Sequence, residues 1–510
     1  MSRFYLTTPL YYVNAEPHLG HAYTTVLADV LARYHRLMGD ETLFLTGTDE
    51  HGQKVEQAAR EAGLEPQAHV DAVSPRFAAA WEKLGIDYGF FIRTTMPEHE
   101  AVVLRILQDL WDRGEIYADE YAGWYDVSEE RFYTEKELVD GKSPAGNEVE
   151  FIREKNYFFR MSKYQQALVD HIEANPTFIV PEKRANEVLG FLRQPLGDLC
   201  ISRPKSRLSW GIPLPFDEDY VCYVWFDALL NYYSALSFGF GDEKSDWWPA
   251  DLHLIGKDIL TTHAVYWPTM LMAAGLAPPR TILAHGWWLL GEQKMSKSKG
   301  NVVRPLDTMD LYGRDVLRYF LMREMTPGQD SNFSQELIVE RNNTELSNDL
   351  GNALNRVVKL VEKHFGGRVP DRGAYGELER TLAGVARETV DAVAAEIGRF
   401  HPNGAIQAVM NLSRAVNRYL EARAPWKTIK EEGGRELAGT CLYHAAEALR
   451  FVGVLLHPVM PDKCAELLRR LGQDPAPASF AELLEWGRLE PGAPVSVGEP
   501  LFPRYELDED

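Results

Sequence analysis

Two histidines three residues apart carry the first chemical signal. In Phe4-Tyr5-Leu6-Thr7-Thr8-Pro9-Leu10-Tyr11-Tyr12-Val13-Asn14-Ala15-Glu16-Pro17-His18-Leu19-Gly20-His21 a short apolar β-type run passes through a turn into a helix. Leu19, Tyr23, Val26, Val30 and Tyr34 recur at helical spacing. Pro17 suits the first helical position, where a missing N–H costs nothing, and His18 and His21 then share one face of the first turn. A helix start offers free N–H groups and the positive end of the dipole, so it draws phosphate. Imidazoles beside it can donate hydrogen bonds to charge that builds on a phosphate in a transition state. Two surface histidines would need no such role, and the tetrapeptide alone leaves that plainer account ahead. A distant second stretch, Lys294-Met295-Ser296-Lys297-Ser298-Lys299-Gly300-Asn301, shifts the balance. Its three lysines among small residues make a cationic loop suited to an anionic substrate.

These residues act together only if a scaffold unites them. Residues 1–114 read as α/β, with a strand at 4–8, a helix at 17–37 and a strand at 42–46 that ends in Gly47-Thr48-Asp49-Glu50-His51-Gly52. Open parallel sheets bind ligands at the carboxyl ends of their strands, and Asp49 sits at such an end; an Asp there is equally a helix N-cap. Residues 115–222 change character: short β-like segments, glycines and aromatics, with helical parts near 161–174 and 182–193, read as an inserted module. The α/β pattern returns over 223–288, with a helix from Val224, a strand from Leu252 turning near Asp258, a helix from Ile259 to Met272 and a strand at 281–284. Residues 289–345 hold the lysine loop and a helix at 313–320. From 346 to 510 the pattern is helical, broken at Gly366-Gly367, Pro402-Asn403-Gly404, Glu432-Gly433-Gly434 and Pro458, as in an antiparallel bundle. The acidic end, Glu506 to Asp510, is expected to fray.

Composition sets the outer bounds. A chain of 510 residues, 45% hydrophobic and 25% charged, should form about three or four structural units with sizeable cores. No apolar run reaches membrane-spanning length. The N-terminus enters a strand without a signal-type apolar core, so a cytoplasmic protein with no membrane partner is expected. Cys200, Cys222, Cys441 and Cys464 form no Cys-x-x-Cys pair and are read as buried, inert thiols. The 54 basic and 75 acidic residues leave a net charge of −21, which opposes non-specific nucleic-acid binding. An RNA ligand would need local basic patches; the candidates are Arg203-Pro204-Lys205-Ser206-Arg207, evenly balanced against a solvated face, and the lysine loop.

A His-x-Gly-His element after the first strand and a Lys-Met-Ser-Lys-Ser loop after the last resemble the class I aminoacyl-tRNA synthetases. The blocks Leu45–Gly52, Val224–Tyr232, His253–His263 and Asp349-Leu350-Gly351-Asn352 narrow the resemblance to the methionine-specific branch of that family, from Phe4 to about Leu471. It implies the fold class: α/β, a Rossmann-type parallel sheet (1–114 and 223–288) split by a connective module (115–222), then a stem-contact region (289–345) and an all-α anticodon-binding helix bundle (346–510). It also implies that L-methionine reacts with ATP, accompanied by Mg²⁺, to give methionyl-adenylate and pyrophosphate. The methionyl group then passes to the 3′ end of tRNA(Met). His18, His21, Lys294 and Lys297 would be catalytic, and Gly20, Met295, Ser296 and Ser298 would complete the ATP site. Methionine would lie among Leu10, Tyr12, Trp225, Ala228, Tyr232, Ile259 and His263, its ammonium on Asp49 and its thioether against aromatic walls. Without the resemblance, Trp225 and Tyr232 would read as core packing and His263 as a structural histidine. Asn352 and Arg356, four apart, and Trp426 match the anticodon-reading positions, where an unpaired base can stack on an indole. Taken alone, Trp426 would read as a bundle-capping aromatic. Leu229 stands where some relatives have Pro.

One departure concerns metal. Many relatives hold zinc in the insertion through four Cys or His side chains. Here Asp126, Glu129, Ser143 and Gly146 occupy those places, poor ligands for tetrahedral zinc. A knuckle without structural zinc, held by aromatic packing, is expected. The insertion is also short for an editing domain, so discrimination would rest on the synthetic pocket, where one methylene is worth about 1–3 kcal/mol. A monomer is expected. The rival readings are a class I synthetase for another apolar amino acid and a tRNA-binding paralogue without catalysis.

Overall fold

The computed structural model describes residues 2–126, 131–133, 135–241, 244–291, 293–294, 303–474 and 485–507. Its centre is the strand Arg3–Thr7. Glu41–Asp49 lies parallel on one side, with Thr7 opposite Leu45, and Leu252–Gly256 lies parallel on the other, with Thr7 opposite His253. Phe90–Arg93 extends the first side and Ile282–His285 the second. The sheet therefore grows first one way and then the other, in Rossmann-type order. That reversal opens a crevice at the carboxyl ends of Arg3–Thr7 and Leu252–Gly256.

Alternate residues of the central strand feed two cores, as strand geometry requires. Phe4 and Leu6 pack with the helix Leu19–Leu37 in a core that runs on into the bundle. Tyr5 packs with the helices Pro97–Asp112, Asn231–Phe238 and Trp267–Ala274 on the opposite face.

The insertion holds an antiparallel sheet of Ile116–Asp126, Arg131–Tyr133, Glu150–Phe159 and Leu199–Cys200. Its borders are not the ones expected. Ile179–Val180 runs parallel to Ile282–Leu283 and forms the edge of the catalytic sheet. A two-residue strand has no periodicity to read. The expected helix from Ile259 is instead a 3₁₀ turn at Lys257–Ile259, a wide π turn at Thr262–Tyr266 and an α-helix from Trp267. The boundary placed at 346 also falls inside continuous helix, since Gln335–Arg341 passes through the π-helical Asn342–Gly351 into Asn352–Phe365.

The bundle helices Asn352–Phe365, Glu377–Ile397, Pro402–Arg423, Gly434–Leu456 and Pro461–Arg470 break where glycine and proline said they would. One further corner, at Ala424, has a left-handed backbone with φ 42°. The bundle is stitched to the catalytic sheet by Arg318, which is fully buried. Its guanidinium donates to Asp29 Oδ2 at 2.6 Å and to the carbonyls of Leu84, Pro458 and Val459 at 2.9–3.1 Å. Tyr34 on the His18-bearing helix donates to Leu455 O at 2.7 Å.

Ahead of the acidic tail, the chain end packs onto two helices. Glu447 accepts from the amides of Gly487, Arg488 and Leu489 at 2.6–3.2 Å, and Tyr505 exchanges two hydrogen bonds with the Asn343 side chain. Asp508, Glu509 and Asp510 lie outside the described residues. Among the described residues no helix is long and apolar enough to cross a membrane.

Candidate functional site

The helix Leu19–Leu37 begins two residues later than Pro17 at its first position would allow, because His18 is the N-cap. His18 is extended, and its Nδ1 accepts from Gly20 N at 3.1 Å and His21 N at 3.4 Å. His21 Nδ1 accepts from His18 N at 3.4 Å, completing a reciprocal box. Leu19 N donates to Val303 O at 3.1 Å and Ala22 N to His18 O at 3.1 Å. The free amides expected at this helix start are thus all engaged. What faces an anion is the pair of rings, stacked 3.6 Å apart. With both Nδ1 atoms accepting, each neutral ring carries its proton on Nε2, so each presents a donor. A Cβ at Gly20 would lie 3.0 Å from His18 Cε1, so a side chain there would push the imidazole out of its cap.

The chain on both sides of the lysine stretch lies against this helix. Trp288–Leu290 pairs antiparallel with Gln293–Lys294, with Leu289 opposite Lys294. That hairpin leaves the sheet beside the same helix: His285 Nε2 is 2.7 Å from Thr24 Oγ1, and Trp288 meets Tyr23 edge to face. Beyond the stretch, Val303 holds the Leu19 amide. Met295, Ser296, Lys297 and Ser298, with the side chain of Lys294, lie outside the described residues.

Four of the eight residues expected around methionine, Tyr12, Trp225, Tyr232 and His263, meet through their rings. Tyr12 meets Trp225 edge to face at 6.2 Å, Trp225 meets His263 at 6.1 Å, and His263 meets Tyr232 at 5.8 Å. Leu10, Trp225 and Ile259 are half-buried against the second core, and Ala228 is buried behind them. The polar atoms are tied in one chain. Tyr5 Oη donates to Tyr232 O at 2.7 Å, Tyr232 Oη lies 2.8 Å from His263 Nε2, and His263 Nδ1 lies 3.0 Å from Ile259 O. Since only an N–H can serve that carbonyl, Nε2 accepts from the tyrosine. Burial pulls the His263 pKa down to about 4, so the ring is neutral. Burial, with Tyr11 and Asp49 nearby, pushes the Tyr232 phenol well up, so it remains a donor. Asp49 is 2% exposed at its strand end. Its neighbour Glu50 is bound by Thr48, Arg93 and Thr95 at 2.5–2.8 Å.

At the far end of the molecule, the Arg356 guanidinium lies 4.4 Å over the Trp426 ring and 2.6 Å from Glu421 Oε1. Asn352 is exposed one turn earlier on the same helix. The left-handed Ala424 turns the chain so that Pro425 and Trp426 leave the preceding helix toward Arg356.

Other expectations fare differently. Arg203 is no surface cation: it is 4% exposed and stacks on Tyr125 and Tyr223 at 5.3 and 4.8 Å. Of the four thiols three are buried, whereas Cys200 is half-exposed. At the knuckle Asp126 accepts from Asn147 Nδ2 at 2.9 Å, Ser143 Oγ accepts from Asn147 N at 3.3 Å, and Gly146 has no side chain to offer. Glu129 lies outside the described residues. This donor set does not suit zinc.

Three groups near the crevice escaped the sequence reading. Lys54 stands 5.2 Å over Tyr12. Lys257, read as part of a turn, lies 3.9 Å from the Trp287 ring and 2.7 Å from both Asp330 oxygens. Asp227 binds His51 and His99 at 2.7 and 2.8 Å. No motif or spacing joins any of these partners.

Comparison with known proteins agrees with this layout. A model described as tRNA synthetases class I (M) matches residues 4–150 and 136–358, and one described as the anticodon binding domain of methionyl tRNA ligase matches 369–510. The methionine–tRNA ligase of Halalkalibacterium halodurans is 44% identical, over 99% of this chain and 79% of that protein. That of Thermotoga maritima is 42% identical, over 99% and 81%. The solved structure of Mycobacterium tuberculosis methionyl-tRNA synthetase in complex with methionyl-adenylate matches with a TM-score of 0.94 at 41% identity, covering 99% of this chain and all of that one. Its apo form matches at 0.88, with 38% identity and 99% of each chain.

Proposed function

The chain belongs to the class I methionine–tRNA ligases, and from that premise we propose how its residues divide the work. The enzyme joins methionine to tRNA in an ATP-dependent reaction. A methionine carboxylate oxygen attacks the α-phosphate, and the bond to the pyrophosphate group breaks. His18 and His21 donate from Nε2 to the α-phosphate oxygens, where negative charge builds. Lys294 and Lys297 neutralise the β- and γ-phosphates, and Met295, Ser296 and Ser298 shape the loop that brings them in; Gly20 keeps the His18 ring seated. Asp49 pairs the ammonium. Trp225, Tyr12, Ile259 and Leu10 wall the thioether over a floor of Ala228, Tyr232 and His263. In the second step a 3′-terminal hydroxyl of tRNA(Met) attacks the activated carbonyl and AMP leaves, while Asn352, Arg356 and Trp426 read the anticodon.

Mg²⁺ fits as a companion of ATP rather than as a resident ion. Among the described residues no three His, Cys, Asp or Glu side chains converge on a metal position, and Mg²⁺ commonly keeps phosphate and water ligands. It supplies charge neutralisation on the phosphates when bound. The protein is read as cytoplasmic, and a monomer fits the exposed apolar side chains, such as Leu64, Leu311 and Leu437, which lie in separate segments of the chain.

The observation that carries this reading is the Leu19 N–H bond to Val303 O, which holds the chain just beyond the lysine stretch against the turn bearing both imidazoles. A panel of amino acids in ATP–pyrophosphate exchange tests it. Methionine should be preferred, and Lys297→Ala should slow exchange far more than it weakens methionine binding. Preference for another amino acid sinks the pocket assignment. Elemental analysis should find no stoichiometric zinc.

A further inference from the structure

Asp227 is a carboxylate that the reaction scheme leaves unused, yet it is 1% exposed. A charge so placed is costly unless neighbours satisfy it. Its Oδ2 accepts from His51 Nδ1 at 2.7 Å and its Oδ1 from His99 Nε2 at 2.8 Å, while His99 Nδ1 meets Ser234 Oγ at 2.8 Å. His51, His99 and Ser234 are themselves buried. The four side chains come from four elements. His51 follows Asp49 by two residues, Asp227 lies between Trp225 and Ala228, Ser234 shares a helix with Tyr232, and His99 comes from the helix Pro97–Asp112. Simple core stability would not demand that every partner but His99 sit beside a methionine-pocket residue.

We propose that Asp227 is a positioning residue of the amino-acid pocket, locking the loop that follows Asp49 to the helix that carries Trp225 and Ala228. The proposal rests on the pocket assignment given above. The carboxylate fixes the gap between the group that takes the substrate ammonium and the wall that takes its side chain. The groups facing His51 are Asp227, Glu100 at 3.9 Å, Glu50 beside it in sequence, and the Trp210 ring at 5.3 Å; His99 lies across Asp227. Burial pulls the His51 pKa down, but Asp227, Glu100 and Glu50 together outweigh it and hold the imidazolium above its usual range. As pH rises through that raised value the proton is lost, and two neighbouring carboxylates remain without their cation.

The test is pyrophosphate exchange with Asp227→Asn, varying methionine and ATP separately across pH. The methionine KM should rise about tenfold or more, with the ATP KM within about twofold and Tm little changed. Wild-type enzyme should show an upward step in methionine KM as pH rises through the raised His51 pKa, and in the variant that step should move to lower pH, since the amide no longer holds the His51 proton. Equal changes in both KM values, or an unmoved pH step, overturn the proposal. If Asp227→Asn does not fold, Ser234→Ala, which removes only the hydroxyl behind His99, must raise the methionine KM alone, and an unchanged value overturns it. Asp49→Asn separates the two assignments. If it leaves the methionine KM unchanged, the pocket reading fails; if it raises it and Asp227→Asn does not, only the positioning role falls.

Discussion

The proposed methionine pocket and the proposed anticodon corner at Arg356–Trp426 are built in opposite ways. In the pocket Tyr232 and His263 are buried, and each polar atom is tied through a partner to the backbone at Ile259. At the corner Asn352 is exposed, and Arg356 rests between an indole face and an exposed Glu421 carboxylate. A site that must reject a ligand differing by one methylene needs walls that do not yield. A site that meets an RNA loop needs a flat ring and a cation that can exchange a weak partner for a base. The difference in burial is a difference in ligand size and in what the ligand brings with it.

The contrast can be broken at several points. His21→Ala should cut pyrophosphate exchange about 10²–10³-fold through loss of a donor to the phosphate. His18→Asn should keep most of the Tm, because Asn also caps a helix, yet lose comparable activity; full activity in that variant would reduce His18 to a cap. Trp426→Ala should lower tRNA charging by about 1–3 kcal/mol of lost stacking and leave exchange nearly intact. Equal falls in both would show that the corner and the pocket are one unit.

A pH titration sharpens the comparison. Folded His263 takes its proton only near pH 4, whereas an exposed histidine does so near 6.5. The unfolded chain thus binds more protons between those values, and stability declines as pH falls from 6.5 toward 4. Methionine affinity should follow, measured by fluorescence titration, with no loss from this group above pH 6.5. The smallest effect belongs to Glu421→Gln. Freeing Arg356 from an exposed pair should change tRNA affinity by about 0.2–1 kcal/mol, and a loss of affinity would show that Glu421 orients Arg356 for RNA.

Legibility in the sequence followed locality. Bundle breaks were readable because glycine and proline act on their own backbone. The helix of His18 was readable from its apolar period, but its first residue was misplaced, since histidine is an unusual cap and Pro17 a usual first residue. Arg203 reads as surface charge because the rings that bury it, Tyr125 and Tyr223, lie far away or give no signal of stacking. Ala424 hides its left-handed backbone, which glycine would have announced. Asp227, His51 and His99 meet only once two separate helices and a loop are in place, so no spacing could reveal them.

The amides that Gly487, Arg488 and Leu489 give to Glu447, and the Tyr505 bonds to Asn343, make the last described stretch a clasp across two helices of different origin. Cutting the chain ahead of residue 485 would leave the buried Glu447 carboxylate on Gly434–Leu456 with Arg450 as its ion-pair partner but without its three amide donors, and would remove both Tyr505 bonds from Asn343. Damage at the carboxyl terminus would therefore be felt first in the helical bundle, while the parallel sheet, rooted in the opposite end of the sequence, kept its strands.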